Sequence, residues 1–349
     1  MSDSFSLKFL GHAGILLKAD GVTLLCDPWM SESGAFLHSW HQYPPNDFLE
    51  RQDLYDADYL YISHDHDDHF DRNFLKDFPK HKVTVIIAEF LSDTFAREIA
   101  KLGFTRILQL KDWESYHLAE NFSVAVVKDE SLYKIDSALL IEVGNTKILH
   151  KNDCHIPDED IPKYRKLGID FLFAQFSGAM WYPATYAYEA KKQQRIAAKL
   201  KQDMLDSFVD FANNICAKHV FHYAGPPAFL EDELFHLNFQ ENGIFPDQWD
   251  VYEELAQQIN GNLSLLLPGD VVKLSSDRQL EITRQFSSLE LSQKALVLDN
   301  YKQKRAAVIQ SYLSSLPQPD QEFLQEFIVY IQQLFSASIY LTETVNALV

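Results

Sequence analysis

The residues best suited to chemistry form a short run of histidines and aspartates directly after an apolar segment. Residues 59–71 read Tyr-Leu-Tyr-Ile-Ser-His-Asp-His-Asp-Asp-His-Phe-Asp, and His64, His66, Asp68 and His69 within them form the pattern HxHxDH. Side chains two positions apart on an extended segment point the same way, so His64 and His66 can bind one metal ion. Asp68 and His69 follow a turn and can bind a second ion. This spacing directly after a strand predicts a two-metal site rather than a solvated acidic loop.

The segments that must position these residues alternate between strand and helix patterns. The chain opens with strand-like runs at 5–10, 13–18 and 22–26, which indicate a hairpin-rich start. Further strands are predicted at 83–88, 105–110, 122–128, 137–143, 146–150, 171–175 and 219–223, and helices at 91–102 and 186–217. Strands, then helices, then strands again are typical of a layered α/β domain.

The chain changes character beyond about residue 245. Residues 251–259 and 289–315 have helical patterns around the strand-like runs 263–267 and 271–274, and residues 320–346 have the pattern of one or two amphipathic helices. We therefore predict a catalytic domain over residues 1–245 and a mainly helical C-terminal extension over residues 246–349. The extension is either a small added helical layer or a surface that binds a partner, and a homo-oligomer through these helices is one form that such binding could take.

Composition excludes several classes of function. The net charge of −19 over 349 residues argues against a nucleic-acid partner or an anionic membrane surface. No signal-peptide pattern opens the chain and no apolar run approaches the roughly 18 residues of a membrane span, so we expect a cytoplasmic protein. Cys26, Cys154 and Cys216 are too few for a disulfide framework. A Rieske cluster needs two Cys/His pairs, and no Cys-x-His pair accompanies Cys216 and His219.

The HxHxDH pattern resembles that of the metallo-β-lactamase superfamily. The resemblance implies an αββα sandwich whose later strands end in further metal ligands. Asp153 follows the apolar strand 146–150, where that superfamily places a carboxylate that bridges both ions; the alternative is that Asp153 caps a turn. His222 ends the strand 219–223 and is the predicted last ligand. Asp68 and Asp153 are also the residues to which we assign catalytic roles.

One expected histidine is missing. Most hydrolases of this superfamily place a histidine on the loop after a strand, between the HxHxDH motif and the bridging aspartate. Residues 118–149 contain no histidine, and the strand 122–128 is followed by Asp129 and Glu130. We predict that Glu130 replaces the histidine as a ligand, with Asp129 as the second choice. The alternative is that both are surface acids and the first ion has an open position.

The exchange of a histidine for a carboxylate changes the expected metal. Histidines favour zinc, whereas carboxylate-rich sites with mixed nitrogen and oxygen ligands suit iron or manganese. The same exchange resembles the oxygenase branch of the superfamily, such as the chloramphenicol-pathway β-hydroxylase. That resemblance implies two iron ions as cofactor and dioxygen as co-substrate, with zinc or manganese as the alternative metal.

A second resemblance extends over residues 5–235. His12-Ala13, Asp27-Pro28-Trp29, Asn152-Asp153-Cys154, Phe176-Ser177-Gly178-Ala179 and Tyr223-Ala224-Gly225 occur in an order that resembles the metallo-β-lactamase-like part of the CMP-N-acetylneuraminate hydroxylase family. That family carries a Rieske domain, so its substrate and its electron route do not carry over to this chain. What it implies is an oxidative rather than a hydrolytic relative. Residues 178–183 and 224–227 would then rim the active site, although each could be an ordinary tight turn.

Three functions remain open at this stage. The first is a non-haem di-iron oxygenase or oxidase that acts on a small molecule held under the segment 30–56, with an electron-donor protein as a further partner. The second is a zinc- or manganese-dependent hydrolase of an ester, lactone or phosphodiester, in which the metal activates water. The third is a binding protein with a degenerate site, which the retained ligand set disfavours.

Overall fold

The computed structural model describes residues 4–129, 135–177, 181–184, 186–239, 245–275, 277–285, 293–318 and 320–337. Fifteen strands in these residues form two sheets. The first sheet contains β1 (Phe5–Gly11), β2 (Gly14–Ala19), β3 (Val22–Cys26), β4 (Tyr59–Tyr61), β5 (Thr84–Ala88), β6 (Ile107–Leu110), β14 (Val271–Leu274) and β15 (Leu280–Thr283). The second contains β7 (Ser115–Ala119), β8 (Phe122–Lys128), β9 (Ser137–Val143), β10 (Thr146–His150), β11 (Phe171–Gln175), β12 (His219–Tyr223) and β13 (Asn262–Leu263).

The strand order is β15-β14-β1-β2-β3-β4-β5-β6 in the first sheet and β13-β12-β11-β10-β9-β8-β7 in the second. Strands β3 to β6 run parallel to one another, and so do β10 to β13. The described helices are α1 (Gln52–Tyr55), α2 (Arg72–Lys76), α3 (Thr94–Lys101), α4 (Ile161–Leu167), α5 (Ala190–Ile215), α6 (Gln248–Gln258), α7 (Lys294–Ser315) and α8 (Gln321–Ala337).

Three apolar layers hold the two sheets and their helices together. The middle layer lies between the sheets and contains Phe9, Ile141 and Phe221. One outer layer packs α1, α2 and α3 on the first sheet, and the other packs α4, α5 and α6 on the second. Each sheet packs against the other sheet with one face and against helices with the opposite face. Both faces of each sheet are therefore buried, and the strands are apolar on both sides. The result is the predicted αββα sandwich.

The carboxyl ends of the central strands meet along one edge of the sandwich. Because β3 and β4 are parallel, the residues that follow them, Asp27 and His64, emerge at the same end of the first sheet. The parallel strands β10 and β11 do the same for Asp153 in the second sheet. The backbone N–H of Ala224, just after β12, donates to the carbonyl of His12 in the β1–β2 turn and joins the two sheets at this edge.

The chain divides into two compact units, residues 1–306 and 307–349. The predicted boundary at residue 245 lies inside the first unit. Strands β14 and β15 extend the first sheet, β13 extends the second, and Val251 and Leu255 of α6 belong to an outer apolar layer. The second unit contains α8, a 17-residue helix. In the described parts of the chain, no helix has the length and apolar character that a bilayer crossing requires.

Candidate metal centre

His64 and His69 each present one ring nitrogen to a common point and anchor the other. The Nδ1 atom of His64 lies 2.9 Å from Asp136 Oδ1, and Nδ1 of His69 lies 3.2 Å from Asp27 Oδ2. The Oγ atom of Ser63 lies 3.0 Å from His64 Nδ1 and 3.3 Å from His69 Nδ1. Both Nε2 atoms are buried and have no hydrogen-bond partner among the described residues. Carboxylates that anchor one imidazole nitrogen in this way orient the other toward a metal.

Two groups of potential ligand atoms surround these nitrogens. One group consists of His12, Asp68 and His69, and the other of His64, His69 and Asp153; within each group the ligand atoms lie within 4.8 Å of one another. Besides the two Nε2 atoms, buried atoms without a partner in the described part of the chain include His12 Nε2, Asp68 Oδ1 and Asp153 Oδ1. Unpaired buried nitrogen and oxygen atoms are costly unless an ion satisfies them. The residues present therefore fit a metal centre with two adjacent positions.

The backbone of the HxHxDH segment forms a tight turn that its neighbours fix. The N–H groups of His69 and Phe70 both donate to the carbonyl of His66. Asp71 then caps α2 by accepting from the N–H of Phe74, and its other oxygen accepts from the backbone of Met30. This turn brings His64 and His69 to the same side, with ring centroids 4.2 Å apart.

His66 and Asp67 occupy the outer side of the same turn. The His66 side chain is exposed, its ring centroid lies 4.4 Å from that of His64, and it belongs to neither of the two groups of ligand atoms. Asp67 instead forms an ion pair with Arg72 at 2.7 Å and accepts from the N–H of Phe36. Asp67 is therefore committed to the surrounding loop, which leaves Asp68 as the inward carboxylate.

Asp153 lies where the strand pattern predicted a carboxylate. Its Oδ1 atom is 3.8 Å from His69 Nε2. The preceding residue, Asn152, has a positive φ of 55° and its N–H donates to the hydroxyl of Tyr223 at 2.8 Å. This bend after β10 turns Asp153 toward His64 and His69.

The charges of the cluster favour a bound cation. Burial alone would raise the pKa of Asp68, but His69 and His12 outweigh it and hold the pKa well below its usual range. Burial would lower the pKa of His69, yet the carboxylates of Asp153, Asp68 and Asp27 raise it to about 10. In the metal-free chain a proton on His69 thus compensates the surrounding carboxylates, and a divalent ion would displace that proton.

The structure corrects the prediction that His222 is the last ligand. Side chains of β12 alternate, and Phe221 and Tyr223 point between the sheets whereas His222 points to the opposite, helix-covered face. Its Nε2 atom lies 3.0 Å from the carbonyl of Gln248, and its ring packs against Phe176. Burial lowers the pKa of His222 to about 4, so it stays neutral. His222 is a core residue of the outer layer.

His12 is the inward imidazole that sequence reasoning missed as a ligand. It lies in the β1–β2 turn with a φ of 47°, is buried, and its Nε2 atom is 3.1 Å from Asp68 Oδ2. The available signal was the His12-Ala13 pair, which belongs to the residues that carry the resemblance to the CMP-N-acetylneuraminate hydroxylase family.

The carboxylates after β8 are only partly described. Glu130, the predicted substitute for the missing histidine, lies outside the described residues, so this prediction stays a prediction. Asp129 is buried, and its backbone N–H donates to the carbonyl of Asp136. Asp136, which sequence reasoning did not select, contacts His64 at the opposite end of the same loop. Of the predicted rim, residues 178–180 also lie outside the described part.

Two sheets between helical layers, with a buried histidine–carboxylate cluster at their common edge, define a metallo-β-lactamase-like metalloprotein. The chain belongs to the β-lactamase superfamily: a family model described as a beta-lactamase superfamily domain matches residues 6–205.

Redox proteins are among the relatives. A Mycobacterium tuberculosis protein whose name calls it a Rieske 2Fe-2S iron–sulfur protein is 30% identical over 314 residues, which cover 86% of this chain and 60% of that protein. This chain therefore spans about 60% of the length of that relative. Cytidine monophosphate-N-acetylneuraminic acid hydroxylase from Danio rerio is 26% identical over 190 residues, 52% of this chain and 31% of that protein. These matches confirm the predicted relationship.

Solved structures with the same fold include both oxygenases and hydrolases. CmlA, a diiron β-hydroxylase from Streptomyces venezuelae, matches with a TM-score of 0.50 and 18% identity over 81% of this chain and 55% of its own. An isothiocyanate hydrolase from Delia radicum gut bacteria matches with a TM-score of 0.50 and 14% identity over 76% of this chain and 98% of its own. At these identities the matches establish the fold alone.

Proposed function

We propose that this protein is a non-haem di-iron oxygenase that acts with dioxygen on a small molecule. The observation that carries the proposal lies in the loop after β8. No histidine occurs in residues 118–149, and the described ends of this loop instead place the carboxylates of Asp129 and Asp136 there, with Asp136 next to His64. A site that mixes imidazole nitrogens with carboxylate oxygens, and whose histidines are held by further carboxylates, suits iron.

Six side chains would hold the two ions. They are His12, His64, His66, Asp68, His69 and Asp153. Iron bound there would supply the activation of dioxygen. Asp153 would act as a ligand beside His64 and His69, and His69 is the residue that the two groups share.

The remaining polar residues of the site position these ligands. Asp27 and Asp136 hold the Nδ1 sides of His69 and His64, which fixes the tautomer and the direction of each Nε2 atom. Asp27 and His69 are fully buried. The burial of these two residues keeps bulk water from the inner face of the centre, which favours an oxidative reaction on an added substrate.

The relatives support an oxidative assignment. One is named as an iron–sulfur protein and another as a hydroxylase, and both are longer than this chain. A monooxygenase reaction, which reduces dioxygen to one water and one inserted oxygen atom, consumes two electrons beyond those of the substrate. These 349 residues contain no Cys-x-His pair for a Rieske cluster, and we propose an electron-donor protein as the source of those electrons.

A zinc- or manganese-dependent hydrolase is the second candidate. The imidazoles of His12, His64, His66 and His69 are ligands that zinc accepts, and several solved structures with this fold are hydrolases. In this case the metal would lower the pKa of bound water to about 7, and Asp68 or Asp153 would orient that water toward an ester, lactone or phosphodiester.

Metal content and oxygen uptake together separate the two candidates. Protein expressed without added zinc is purified, analysed for iron and zinc, and tested for oxygen uptake after reduction. The oxygenase proposal predicts bound iron with a visible-region absorption and oxygen uptake in wild-type protein, and predicts that Asp136→Asn lowers the iron content. Stoichiometric zinc with no oxygen uptake, in wild type and variant, would overturn the proposal and favour the hydrolase. A direct competition between the two ions would not separate the candidates, because the affinity order of divalent metals by itself favours zinc.

A further inference from the structure

The first three turns of α5 carry a concentrated positive charge. Residues 190–201 contain five lysines and arginines and no aspartate or glutamate, in a chain whose net charge is −19. Four of these side chains are exposed, and we call them the cationic patch: Lys191, Lys192, Arg195 and Lys199. Their spacing of three and four residues places them on neighbouring positions of the helix surface.

The patch is unfavourable for the helix that carries it. The N-terminal end of a helix bears a partial positive charge, so anionic side chains stabilise the first turn and cationic ones destabilise it. The first turn of α5 contains Lys191 and Lys192 and no acidic residue. Of the four cations, only Lys199 forms an ion pair among the described residues, with Asp203 at 3.1 Å. The stability of the helix therefore does not account for the patch.

A cluster of tyrosines adjoins the patch. Tyr182 lies 4.8 Å from Tyr186 and 6.2 Å from Tyr188, measured between ring centroids, and Tyr186 is 53% exposed. The ammonium group of Lys192 lies 4.1 Å from the centroid of the Tyr188 ring, in cation–π geometry. The surface at the start of α5 thus combines aromatic rings with lysines.

A series of aromatic rings runs from Trp181 to His66 at the candidate metal centre. Trp181 is the neighbour of Tyr182 in sequence, and its ring lies 6.1 Å from that of Trp40. Trp40 lies 4.7 Å from Phe36, and Phe36 lies 6.0 Å from His66. These centroid distances are typical of rings in contact. Electron tunnelling weakens steeply across gaps in packing, so these rings, together with the peptide bond between Trp181 and Tyr182, provide a route from the tyrosine surface to His66.

We propose that the cationic patch and its tyrosines form the docking site of an acidic one-electron carrier protein. The proposal rests on the proposed oxygenase function. Each encounter would oxidise the carrier by one electron and reduce the metal centre by one electron, with no bond made or broken. Two encounters deliver the two electrons that the oxygenase reaction requires. The carrier is acidic because a patch of exposed cations attracts and orients an anionic surface.

Binding to zinc-loaded protein tests the docking surface without iron chemistry. The probe is a plant-type 2Fe–2S ferredoxin, a small acidic one-electron carrier, titrated at low ionic strength. We expect saturable binding that weakens with added salt and whose Kd rises at least about tenfold in the K191E/K192E/R195E variant. The matched control, K82E/R106E/K111E, changes the net charge by the same amount at exposed positions of other elements and should bind like wild type.

Three outcomes would overturn the docking proposal. They are the absence of binding, an equal loss of binding in the control variant, and tighter binding of single-stranded DNA than of ferredoxin at the same salt concentration. The last result would assign the lysines and tyrosines to nucleic acid instead.

Electron transfer tests the route inward. In iron-loaded protein, Trp181→Leu should slow the reduction of the metal centre by reduced ferredoxin at least about tenfold and leave the Kd unchanged; an unchanged rate would refute the route. If the protein binds ferredoxin but holds only zinc, the docking surface stands and the oxygenase proposal fails. If it holds iron but does not bind ferredoxin, the oxygenase proposal stands and the docking proposal fails.

Discussion

At the scale of single residues, the buried hydroxyl of Tyr223 contacts residues that position candidate ligands on both sheets. The Tyr223 hydroxyl lies 2.8 Å from both the backbone nitrogen and the side-chain oxygen of Asn152, the residue before Asp153. It also lies 3.0 Å from His150 Nδ1, and Nε2 of His150 lies 3.6 Å from the Asp27 carboxylate that holds His69. Removing this hydroxyl would loosen Asp153 and Asp27 together.

We therefore expect Tyr223→Phe to weaken metal binding about 10- to 100-fold, the range typical for residues that position ligands. The ring stays in place between the sheets, so the unfolding free energy should fall by only about 1–3 kcal/mol, the cost of unpaired buried groups. Competition with a fluorescent chelator measures the affinity. The control is Tyr164→Phe, which removes a hydroxyl from a ring in the outer apolar layer. Equal affinities in both variants would refute the positioning role.

His12 provides a second residue-scale prediction. Because its Nε2 atom faces Asp68, the His12→Ala variant should bind clearly less metal per chain than wild type, with near-wild-type circular dichroism. The His219→Ala variant removes a half-buried histidine that contacts Phe171 and should keep the full metal content. Metal analysis after dialysis distinguishes them, and a full complement of metal in His12→Ala would exclude His12 as a ligand.

At the scale of elements, alternation along strands decides which predictions from the sequence hold. The HxHxDH turn and Asp153 could be predicted because short spacings and a strand end determine where those side chains point. The direction of the His222 side chain could not be predicted. It depends on which face of β12 packs against the other sheet, and both faces of this strand are apolar. His12 was missed as a ligand because its partner, Asp68, is distant in sequence and only the sheet order brings them together.

The position of His222 in the outer layer predicts a pH effect. Its pKa is about 4 in the folded chain and about 6.5 when unfolded, so the unfolded state binds the proton first as pH falls. The stability contributed above pH 6.5 is therefore lost between pH 6.5 and 4, by about 2 kcal/mol at pH 5. His222→Gln keeps a donor for the Gln248 carbonyl and has no such titration. Urea unfolding of metal-free protein at several pH values should show that the unfolding free energy of the wild type falls more steeply with falling pH than that of the variant. Parallel pH profiles of the two unfolding free energies would contradict this prediction.

At the scale of the whole molecule, the sequence predicted the layers better than the division of the chain. The order of strand and helix patterns predicted a layered α/β domain, and the resemblance to the metallo-β-lactamase superfamily implied the αββα sandwich. The domain boundary at residue 245 could not be predicted from such patterns. The short strands β13, β14 and β15 join sheets formed by residues far earlier in the chain. Their hydrogen-bond partners are non-local, so local periodicity carries no sign of them.

The exposed apolar side chains of the C-terminal unit lead us to expect self-association. Helix α8 exposes large apolar side chains, among them Phe323, Phe327 and Leu334, at spacings that place them on one side of the helix. Apolar surface of this kind is typical of an interface. We expect the full chain to sediment as a dimer or larger oligomer, and a chain ending at Gln318 or carrying Phe327→Glu to sediment as a monomer. Equal masses for all three would show that α8 has another role.

The central claim, that this metal centre reacts with dioxygen, is tested most directly by one measurement. Protein loaded with iron is chemically reduced without oxygen, freed of reductant and mixed with dissolved dioxygen while oxygen uptake and visible absorption are followed. The account predicts rapid uptake of about one dioxygen per two irons, with a new absorption band, and almost none in Asp153→Ala. Protein that retains only zinc, or iron-loaded protein that takes up oxygen no faster than free ferrous iron in buffer, would contradict it.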